Sequence, residues 1–343
     1  MVSALVCPDK FKGTLTAPVA GDAMAAGLRT AGFDDVQVLP LADGGEGTLD
    51  ALLVPRGGSR RNATVTGPLG DPVDAEWGLL AGGTAVVEMA RASGLALVAN
   101  RNDALRASTR GTGELIAVAI RAGARRVIVG VGGSASTDGG LAAVEALGWS
   151  LGGVDVSVAC DVSTAFVDAA RVFGHQKGAT DAQVSLLTRR LERLAGEYVA
   201  RTGVDVRDVV GAGAAGGLAG GLAAIGARLE SGFDVVAEAA GLESALDDVD
   251  LVVTGEGRLD STSFDGKVVG GVLEWATDVG VPRAAVIAGQ ATPESREEIG
   301  MFAGADLFVL TDRVWQSGEA FSRAAVLVEE AAVDAGRRAL RRT

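Results

Sequence analysis

The sequence predicts an α/β protein with parallel sheets, and two observations support this fold class. Short apolar segments alternate with helical patterns at both ends of the chain, as strands and crossover helices do in parallel sheets. The 343 residues are 48% hydrophobic but only 4% aromatic, and 50 of them are glycine. This composition suits layers rich in alanine and valine, whereas an all-β sandwich would need more aromatic residues and a more regular alternation.

Two strand-helix units open the chain. Residues 5–7 predict a buried strand, followed by a helix over residues 17–30 that Thr16 caps and that carries Pro18 in its first turn. Residues 36–39 predict a second strand, and residues 41–48 lead into a second helix. Together these units indicate parallel α/β structure.

The middle of the chain has a different pattern. Residues 60–80 alternate between apolar and polar and contain turn residues, which predicts a β-hairpin. The strand-helix rhythm of the opening returns after residue 250, so residues 1–60 and 246–343 are expected to form one discontinuous domain, with residues 61–245 as an inserted α/β domain. The other predicted strands are residues 85–89, 126–129, 155–160, 251–254, 284–288 and 306–310, and the other predicted helices are residues 113–122, 183–199, 213–225 and 321–338.

Charge and composition disfavour several classes of protein. The formal net charge of −13 opposes passive attraction to nucleic acid or to an anionic membrane, so a polyanionic substrate would need local positive groups. Pro8 interrupts the first apolar run, which argues against a signal peptide. Cys7 and Cys160 are predicted to be free thiols in a reducing compartment, and a cytoplasmic location is expected. The uncharged residues 211–227 are weakly apolar and short for a membrane span, so a buried helix is predicted.

Residues 132–140 (GGSASTDGG) form a loop of small residues between a predicted strand and a helical pattern. Amide groups at a helix start have no intrahelical partner, and small side chains let an anion approach them, so the loop suits a phosphate. Asp138 could hold a metal ion that bridges phosphate oxygens. A tight turn in which a serine, threonine or aspartate caps the helix explains the same pattern equally well. The candidate nucleotide-binding residues of the loop are Gly132, Gly133, Ser134, Ser136 and Thr137.

Lysine is scarce in this chain. Of the 31 lysine and arginine residues only four are lysines, and each lies within three residues of a glycine: Lys10, Lys12, Lys177 and Lys267. A compact ammonium group on a flexible side chain suits phosphate oxygens in a tight site. Four residues are a small sample, so chance remains an alternative. The favoured interpretation is that Lys177, with Lys10 or Lys12, neutralises phosphate charge.

Several carboxylates follow apolar strands or lie in glycine-rich turns, where ligands bind to open α/β sheets. Because Mg²⁺ is held by one or two carboxylates together with phosphate oxygens and water, these side chains are candidate metal ligands. Helix capping is the favoured role for Glu46 and Asp260. His175 is the only histidine and is predicted to be a solvated loop residue, so a carboxylate is the available base for an alcohol. The predicted metal ligands are Asp43, Asp138 and Glu256, and the predicted base is Asp161.

Residues 211–216 (GAGAAG) match the dinucleotide-binding pattern G-x-G-x-x-G, with Glu230 at a suitable distance for a ribose contact. A dinucleotide-dependent oxidoreductase of a small hydroxy acid is therefore the alternative function. Its weakness is that residues 204–210 carry three charges where a buried strand should be apolar. A helix packed closely against another backbone is the favoured interpretation of these glycines. No Walker A motif is present in the sequence.

Seven segments, in this order, resemble the bacterial glycerate kinase family of the two-domain type, and the likeness runs almost end to end. They are residues 7–13 (CPDKFKG), 40–48 (PLADGGEGT), 108–115 (STRGTGEL), 132–140 (GGSASTDGG), 160–162 (CDV), 173–179 (FGHQKGA) and 254–260 (TGEGRLD). The resemblance implies ATP-dependent phosphorylation of D-glycerate with Mg²⁺, usually at the 2-hydroxyl, so 2-phosphoglycerate is favoured over 3-phosphoglycerate. Residues 163–168 depart from the family's usual sequence, near the expected substrate.

The resemblance also implies a flavodoxin-like domain formed by both chain ends, a second α/β domain inserted into it, and a site in the cleft between them. Lys10 and Lys12 join Asp161 as predicted catalytic residues. Ser108, Thr109, Arg258 and Lys267 are predicted to bind the substrate, with Arg258 suited to the glycerate carboxylate. The expected partner is a small molecule, without nucleic acid or membrane, and a homodimer stays open. A binding module without catalysis is the third alternative.

Overall fold

The computed structural model describes residues 2–314 and 317–341. They fold into two compact units. The terminal unit comprises Met1–Asp43 and Val236–Thr343, and the inserted unit comprises Gly44–Val235. The strands are β1 (Ser3–Pro8), β2 (Asp35–Val38), β3 (Gly58–Thr66), β4 (Pro72–Leu80), β5 (Thr84–Glu88), β6 (Arg126–Gly130), β7 (Asp155–Ala159), β8 (Arg228–Glu230), β9 (Leu251–Leu259), β10 (Ala284–Ala291) and β11 (Ala305–Val309).

The helices connect these strands. In chain order they are α1 (Ala17–Ala31), α2 (Thr48–Arg56), α3 (Ala90–Ser93), α4 (Arg110–Arg121), α5 (Leu141–Ala146), α6 (Ala169–Phe173), α7 (Asp181–Thr202), α8 (Ala214–Ala224), α9 (Gly232–Ala240), α10 (Leu242–Leu246), α11 (Val268–Val279), α12 (Pro293–Ile299), α13 (Ser317–Ser322) and α14 (Ala324–Arg341). Short 3₁₀ helices cover Leu95–Val98, Phe166–Asp168, His175–Lys177, Ser261–Phe264 and Leu310–Arg313.

The terminal unit is built on a parallel sheet with the strand order β11-β10-β9-β1-β2. Renumbered within the unit, this is the order 2-1-3-4-5 of flavodoxin-like folds, so the predicted fold class is confirmed. The direction of winding reverses between β1 and β9. In open α/β sheets, ligands bind outside the carboxyl ends of the strands at this switch point.

Helices from the two ends of the chain pack together in the terminal unit. α1 lies against α14, and both contribute apolar side chains to a core that also contains β1, β9 and β10. A Cβ atom at Gly27 of α1 would lie 2.3 Å from the carbonyl oxygen of Glu329 in α14. Glycine is therefore required there because the two helix backbones approach so closely. α11 packs against β9, and both contribute side chains to a second apolar core of this unit.

The inserted unit contains a mixed sheet with the order β3-β4-β5-β6-β7-β8. β3 and β4 form the antiparallel hairpin that residues 60–80 predict, β5 joins β4 antiparallel, and the remaining pairs are parallel. α5 packs against both α4 and α8 beside this sheet, and α7 contacts α8. The sequence did not predict β8, because three residues with exposed Arg228 give no strand pattern.

The boundary between the units lies earlier in the chain than predicted. The inserted unit begins at Gly44 and not at residue 61, and the terminal unit resumes at Val236 and not at residue 246. The first difference arises because α2 packs on β4 and β5. Glu88 at the end of β5 accepts hydrogen bonds from the amides of Gly47 and Leu49, each 3.0 Å long. The second strand-helix unit is therefore divided, with β2 in the terminal unit and α2 in the inserted unit.

Two further predictions concern membranes and thiols. In the part of the chain that the structure describes, no helix is both long and apolar enough to cross a membrane. Cys7 is buried and Cys160 partly buried, and both are free, as predicted. Burial raises the pKa of the Cys7 thiol, so this side chain is an unreactive part of the core.

Candidate active site

Two carboxylates meet at the switch point of the terminal unit. Asp9 follows β1 directly, and Glu256 lies in β9, where Pro8 of β1 is paired with Gly255. The amide of Asp9 donates a 2.9 Å hydrogen bond to the carbonyl oxygen of Gly255, which fixes the two segments side by side. Glu256 was predicted as a site residue and Asp9 was not. The signal for Asp9 was present, because it directly follows a buried strand.

Burial changes the protonation of both carboxylates. Burial raises the pKa of Asp9 to about 6; the charge of Asp43 adds to this, while those of Lys10 and Lys267 oppose it. Burial also raises the pKa of Glu256 to about 7, against the hydrogen bond from the Ser263 hydroxyl and the charge of Lys267. These carboxylates therefore hold protons more strongly than free ones. A cation beside them would restore the charged forms.

Glu256 has the chemistry of a metal ligand. Its Oε1 atom is buried and has no hydrogen-bond partner within the described residues. Such an oxygen is costly to bury unless a ligand satisfies it, and a hard cation is a suitable one. Asp43 lies close enough to Asp9 to raise its pKa. Across residues 2–314 and 317–341, no three His, Cys, Asp or Glu side chains form a metal cage. The unpartnered oxygen of Glu256 and the neighbouring carboxylates fit Mg²⁺ that completes its coordination with phosphate and water.

Three of the four lysines belong to this unit. The amide of Lys10 donates to Oδ1 of Asp9 at 2.6 Å, which places this half-buried residue beside the carboxylates. Nζ of Lys267 donates to Oγ1 of Thr262 at 2.6 Å, and its charge lowers the pKa of both Asp9 and Glu256. Lys12 is exposed. Two of the lysines predicted from the sequence, Lys10 and Lys267, therefore lie beside the carboxylates of the switch point.

A cavity of about 290 Å³ adjoins these residues within the terminal unit. It is lined by the loop after β1, by the carboxyl ends of β9 and β10, and by the segments that follow β11. Lys12 and Arg258 are the charged residues in this lining. The side chain of Arg258 is 71% exposed, and its Nε lies 3.8 Å from Asp260. Asp260 caps the 3₁₀ helix Ser261–Phe264, in agreement with its predicted capping role.

In the inserted unit, Asp138 of loop 132–140 is fully engaged by the protein. Its Oδ2 accepts hydrogen bonds from the amide and the hydroxyl of Thr109, at 2.8 and 2.9 Å, and its Oδ1 accepts one from the amide of Gly140 at 3.2 Å. Burial raises the pKa of Asp138, and these hydrogen bonds oppose the rise. A metal ion would have to displace those donors. Asp138 thus organises the turn, but the N-cap position of α5 is Gly140 and no side chain caps this helix, contrary to the capping alternative. Thr109, which is fully buried, is bound to Asp138.

Lys177 is buried beneath the same loop and is only 1% exposed. Its Nζ donates a 2.6 Å hydrogen bond to the carbonyl oxygen of Ser136. Burial lowers the pKa of Lys177 to about 7, and the charge of Asp138 opposes the decrease. This amine holds the loop from inside the unit, in contrast to the exposed or half-buried lysines of the terminal unit. The side-chain hydroxyls of Ser136 and Thr137 are buried and lack hydrogen-bond partners in the described structure.

The other predicted site residues of the inserted unit lie nearer the surface. Gly132 and Gly133 are exposed and Ser134 is half-buried. The half-buried Ser108 precedes α4. Asp161, which was predicted as the base, is exposed after β7, and its Oδ1 accepts a 2.6 Å hydrogen bond from the amide of Gly232. His175 is also exposed, as predicted. Glu46 is exposed, and Gly47 occupies the N-cap position of α2 in its place.

The structure contradicts the dinucleotide-site hypothesis for residues 211–216. Residues 204–210 form turns and not the strand that such a site requires. Gly216 has a φ of +68°, and a Cβ atom there would lie 2.0 Å from the carbonyl oxygen of Ser136. A Cβ atom at Gly217 would lie 2.7 Å from the Cα of Gly139. These glycines are needed because α8 begins directly against loop 132–140, which is the close packing that was favoured.

The fold and the charged groups at the switch point define the class: a two-unit α/β protein whose flavodoxin-like unit carries carboxylates and lysines at its switch point. The sequence profile described as the glycerate kinase family matches residues 4–152 and 150–340. The chain belongs to the glycerate kinase family, and it is accordingly an enzyme of the phosphotransferase class.

Named relatives and a solved structure agree with this membership. The chain is 43% identical over 310 residues to "Glycerate 2-kinase" of Escherichia coli K12, covering 79% of this chain and 81% of that protein. It is 40% identical over 370 residues to "Glycerate kinase" of Bacillus subtilis 168, covering 96% of each. A crystal structure of a proposed glycerate kinase 2 from Salmonella typhimurium LT2 superposes with a TM-score of 0.84, at 35% identity and with 98% of each chain covered.

Proposed function

We propose that this enzyme transfers the terminal phosphoryl group of ATP to D-glycerate with Mg²⁺, and that the product is 2-phosphoglycerate rather than 3-phosphoglycerate. The observation that carries the proposal is the pair of half-buried carboxylates, Asp9 and Glu256, flanked by Lys10 and Lys267 in a member of the glycerate kinase family. The similarity to a protein named for phosphorylation at the 2-position supports the choice of hydroxyl. A cytoplasmic location belongs to the same proposal, because ATP is the donor and both thiols are free.

In this proposal Glu256 and Asp43 hold the cation, and Asp138 positions loop 132–140 instead. The bound cation would neutralise and orient phosphate oxygens. Lys10 and Lys267 add positive charge where negative charge develops on the transferred group, which is how most phosphotransferases lower the barrier. The unpartnered oxygen of Glu256 supports its part in this arrangement.

The glycerate hydroxyl has to lose its proton as it attacks phosphorus. One O–P bond forms to the hydroxyl oxygen, the bond between the terminal phosphorus and the bridging oxygen of ATP breaks, and a carboxylate takes the proton. Asp9 suits this role because its pKa of about 6 leaves it largely ionised at pH 7 yet close enough to accept a proton. Asp161 stays the second candidate, as an exposed carboxylate after β7.

Binding of the glycerate carboxylate is assigned to Arg258 in the terminal unit. A guanidinium group can bind a carboxylate through two parallel hydrogen bonds, and the Arg258 side chain is exposed. Ser108 is half-buried, whereas Thr109 is buried and engaged with Asp138. The buried and unpartnered hydroxyls of Ser136 and Thr137 support a polar ligand near loop 132–140.

The test is an ADP-release assay with glycerate, tartronate and hydroxypyruvate as acceptors, followed by phosphorus NMR of the product. We expect ADP only when glycerate, ATP and Mg²⁺ are all present, and a phosphorus signal coupled to the proton on C2. Turnover that does not depend on glycerate, or none at all, would contradict the proposed function. A product phosphorylated on C3 would contradict only the choice of hydroxyl.

A further inference from the structure

We propose that the cavity beside Lys12 and Arg258 in the terminal unit binds the adenosine part of ATP, with the triphosphate directed toward the switch point. This inference rests on the proposed function, which requires a nucleotide but does not say where its base lies. The cavity lies over the carboxyl ends of β9 and β10, the edge at which open α/β sheets bind ligands. Its volume of about 290 Å³ is close to the lower end of small-molecule sites.

The wall of the cavity is apolar and includes an exposed aromatic ring. Leu310, Ala320 and Ala324 contribute buried aliphatic surface, and Phe321 stands beside them with 55% of its surface exposed. A large exposed aromatic residue that lines a concave site is suited to cover a flat ligand. Stacking of a base on an aromatic side chain contributes about 1–3 kcal/mol and does not require a particular base. Phe321 is therefore assigned to stack on the adenine.

Polar groups also line the cavity. Gln290 and Thr311 offer an amide and a hydroxyl, which can both donate to and accept from a base edge or a ribose. The segment of Lys12 packs backbone against backbone on β9, because a Cβ atom at Gly257 would lie 2.9 Å from the amide nitrogen of Lys12. The lining thus combines cationic side chains for phosphate with apolar and aromatic side chains for a base.

The position of Lys12 gives the nucleotide a direction. Lys12 is two residues beyond Lys10 in the loop after β1, and Arg258, which the proposed function assigns to glycerate, is two residues beyond Glu256 on β9. A phosphate chain that leaves the cavity past Lys12 therefore reaches the carboxylates and amines of the switch point. Those are the groups that the proposed function assigns to the cation and to the transferred phosphoryl group.

The inserted unit offers less for a base. Loop 132–140 contains no aromatic residue, and its nearby Lys177 is buried against Ser136. A cavity of about 220 Å³ borders Thr137 and Asp138, but aliphatic and charged residues of α7 line it without an aromatic ring. An apolar and cationic lining that also includes an aromatic ring occurs beside Phe321.

The experiment measures binding of ADP, and separately of pyrophosphate, to the full chain by calorimetry without glycerate. Phe321→Ala should weaken ADP binding by about 5- to 100-fold, as expected for loss of one stacking contact, and leave pyrophosphate binding unchanged. Lys12→Ala should weaken both ligands. Met301→Ala is the matched control, because Met301 is an apolar residue of the same unit that is 76% exposed and does not line the cavity. It should bind ADP as the wild type does.

Unchanged ADP affinity in Phe321→Ala, with an unchanged thermal midpoint, would overturn the inference. So would loss of ADP binding in Ser134→Ala combined with normal binding in Phe321→Ala, since the base would then lie at loop 132–140. The two proposals fail separately. If Phe321→Ala weakens ADP binding but the wild type releases no ADP with glycerate and ATP, the adenosine site stands and the kinase reaction does not. If Phe321→Ala turns over with an unchanged KM for ATP, the kinase reaction stands and the adenosine site does not.

Discussion

At the scale of single residues, the stability of the terminal unit and its chemistry make opposite demands on Glu256. Its pKa in the folded protein is about 7, above the ordinary value of 4.5, so the folded state binds more protons than the unfolded state between these values. Stability is therefore highest below pH 4.5 with respect to this group and falls as the pH rises to 7. Ionised Glu256 lowers the stability of the folded protein at neutral pH. Its proposed function explains this, because a cation is bound by the ionised carboxylate.

The first prediction replaces this charge with a neutral isostere. Without added cation, Glu256→Gln should raise the free energy of unfolding at pH 8 by on the order of 3 kcal/mol, and by much less at pH 5. The same variant should lose at least about 100-fold in kcat. Thermal unfolding at the two pH values and the ADP-release assay measure both effects. Glu297→Gln, at an exposed position of the same unit, is the control and should change neither the free energy of unfolding nor kcat. Equal stability of the wild type and Glu256→Gln at pH 8 would contradict the prediction that the charge of Glu256 destabilises the folded protein.

The second prediction concerns the base. Asp9→Asn should lower kcat by about 10²- to 10⁴-fold, because the amide cannot accept the proton of the glycerate hydroxyl. Steady-state kinetics should show a KM for ATP within a few-fold of the wild-type value. Asp161→Asn is the matched variant after β7. A large loss of turnover in Asp161→Asn, with little loss in Asp9→Asn, would move the base to Asp161, the residue that sequence analysis selected.

At the scale of elements, loop 132–140 is held by groups from four other segments. Lys177 and Tyr198 donate to the carbonyl oxygens of Ser136 and Gly139, at 2.6 and 2.9 Å. Thr109 secures Asp138, and the start of α8 packs against the loop's backbone. A glycine-rich loop would be mobile by itself. These contacts are what give it one conformation.

The third prediction follows from the buried amine. The pKa of Lys177 is about 7 in the folded protein and 10.5 ordinarily, so the unfolded state binds more protons between these values. With respect to this group, stability rises as the pH increases from 7 to 10.5. The stability of the wild type relative to Lys177→Met should therefore increase by up to about 1.4 kcal/mol per pH unit in this range. Chemical unfolding from pH 7 to 9.5 measures the difference.

The control for that series is Lys12→Met, because Lys12 is exposed and its removal should leave the pH dependence of stability unchanged. If Lys177→Met instead shows the same pH dependence as the wild type, folding does not shift the pKa of this amine and the prediction is wrong. Turnover of Lys177→Met should also fall, since the Ser136 carbonyl loses its donor and the loop is less well held.

The fourth prediction tests why α8 is rich in glycine. Gly216→Ala combines a positive φ with a Cβ atom placed 2.0 Å from the Ser136 carbonyl oxygen, so the free energy of unfolding should fall by at least about 3 kcal/mol. Gly196→Ala, in the middle of α7 with open space around its Cβ position, should raise it by up to about 1 kcal/mol. Equal effects of the two substitutions in chemical unfolding would show that loop packing does not explain these glycines.

At the scale of the whole molecule, the chain forms one unit from its two ends and another from its middle. The return of the strand-helix rhythm after residue 250 predicted this arrangement, because strands of a parallel sheet recur with the same local pattern wherever they lie in the sequence. The predicted boundaries were less accurate. Whether α2 belongs to one unit or the other depends on its contacts with Glu88 and β4, which no pattern within residues 41–60 contains.

The candidate site divides in the same way. Lys10, Lys267 and Glu256 could be selected from sequence, because scarce lysines beside glycines and carboxylates at strand ends are local signals. Asp9 could have been selected by the same rule. Neither the burial of Lys177 nor the hydrogen bonding of Asp138 could be inferred from the sequence. Lys177 is bound to Ser136 and Asp138 to Thr109, and the partners of each pair are about 30 to 40 positions apart.

The sequence by itself determined the α/β class, the hairpin, the free thiols and the family, since periodicity, composition and ordered motifs are properties of the chain alone. Only the tertiary structure decided which carboxylates are desolvated, which lysine is buried, where one unit ends and why residues 211–217 need glycine. The physical reason is that pKa values, hydrogen-bond partners and close backbone approaches arise between segments that are distant in sequence. Folding brings those segments together, and their chemistry changes when water is removed from around them.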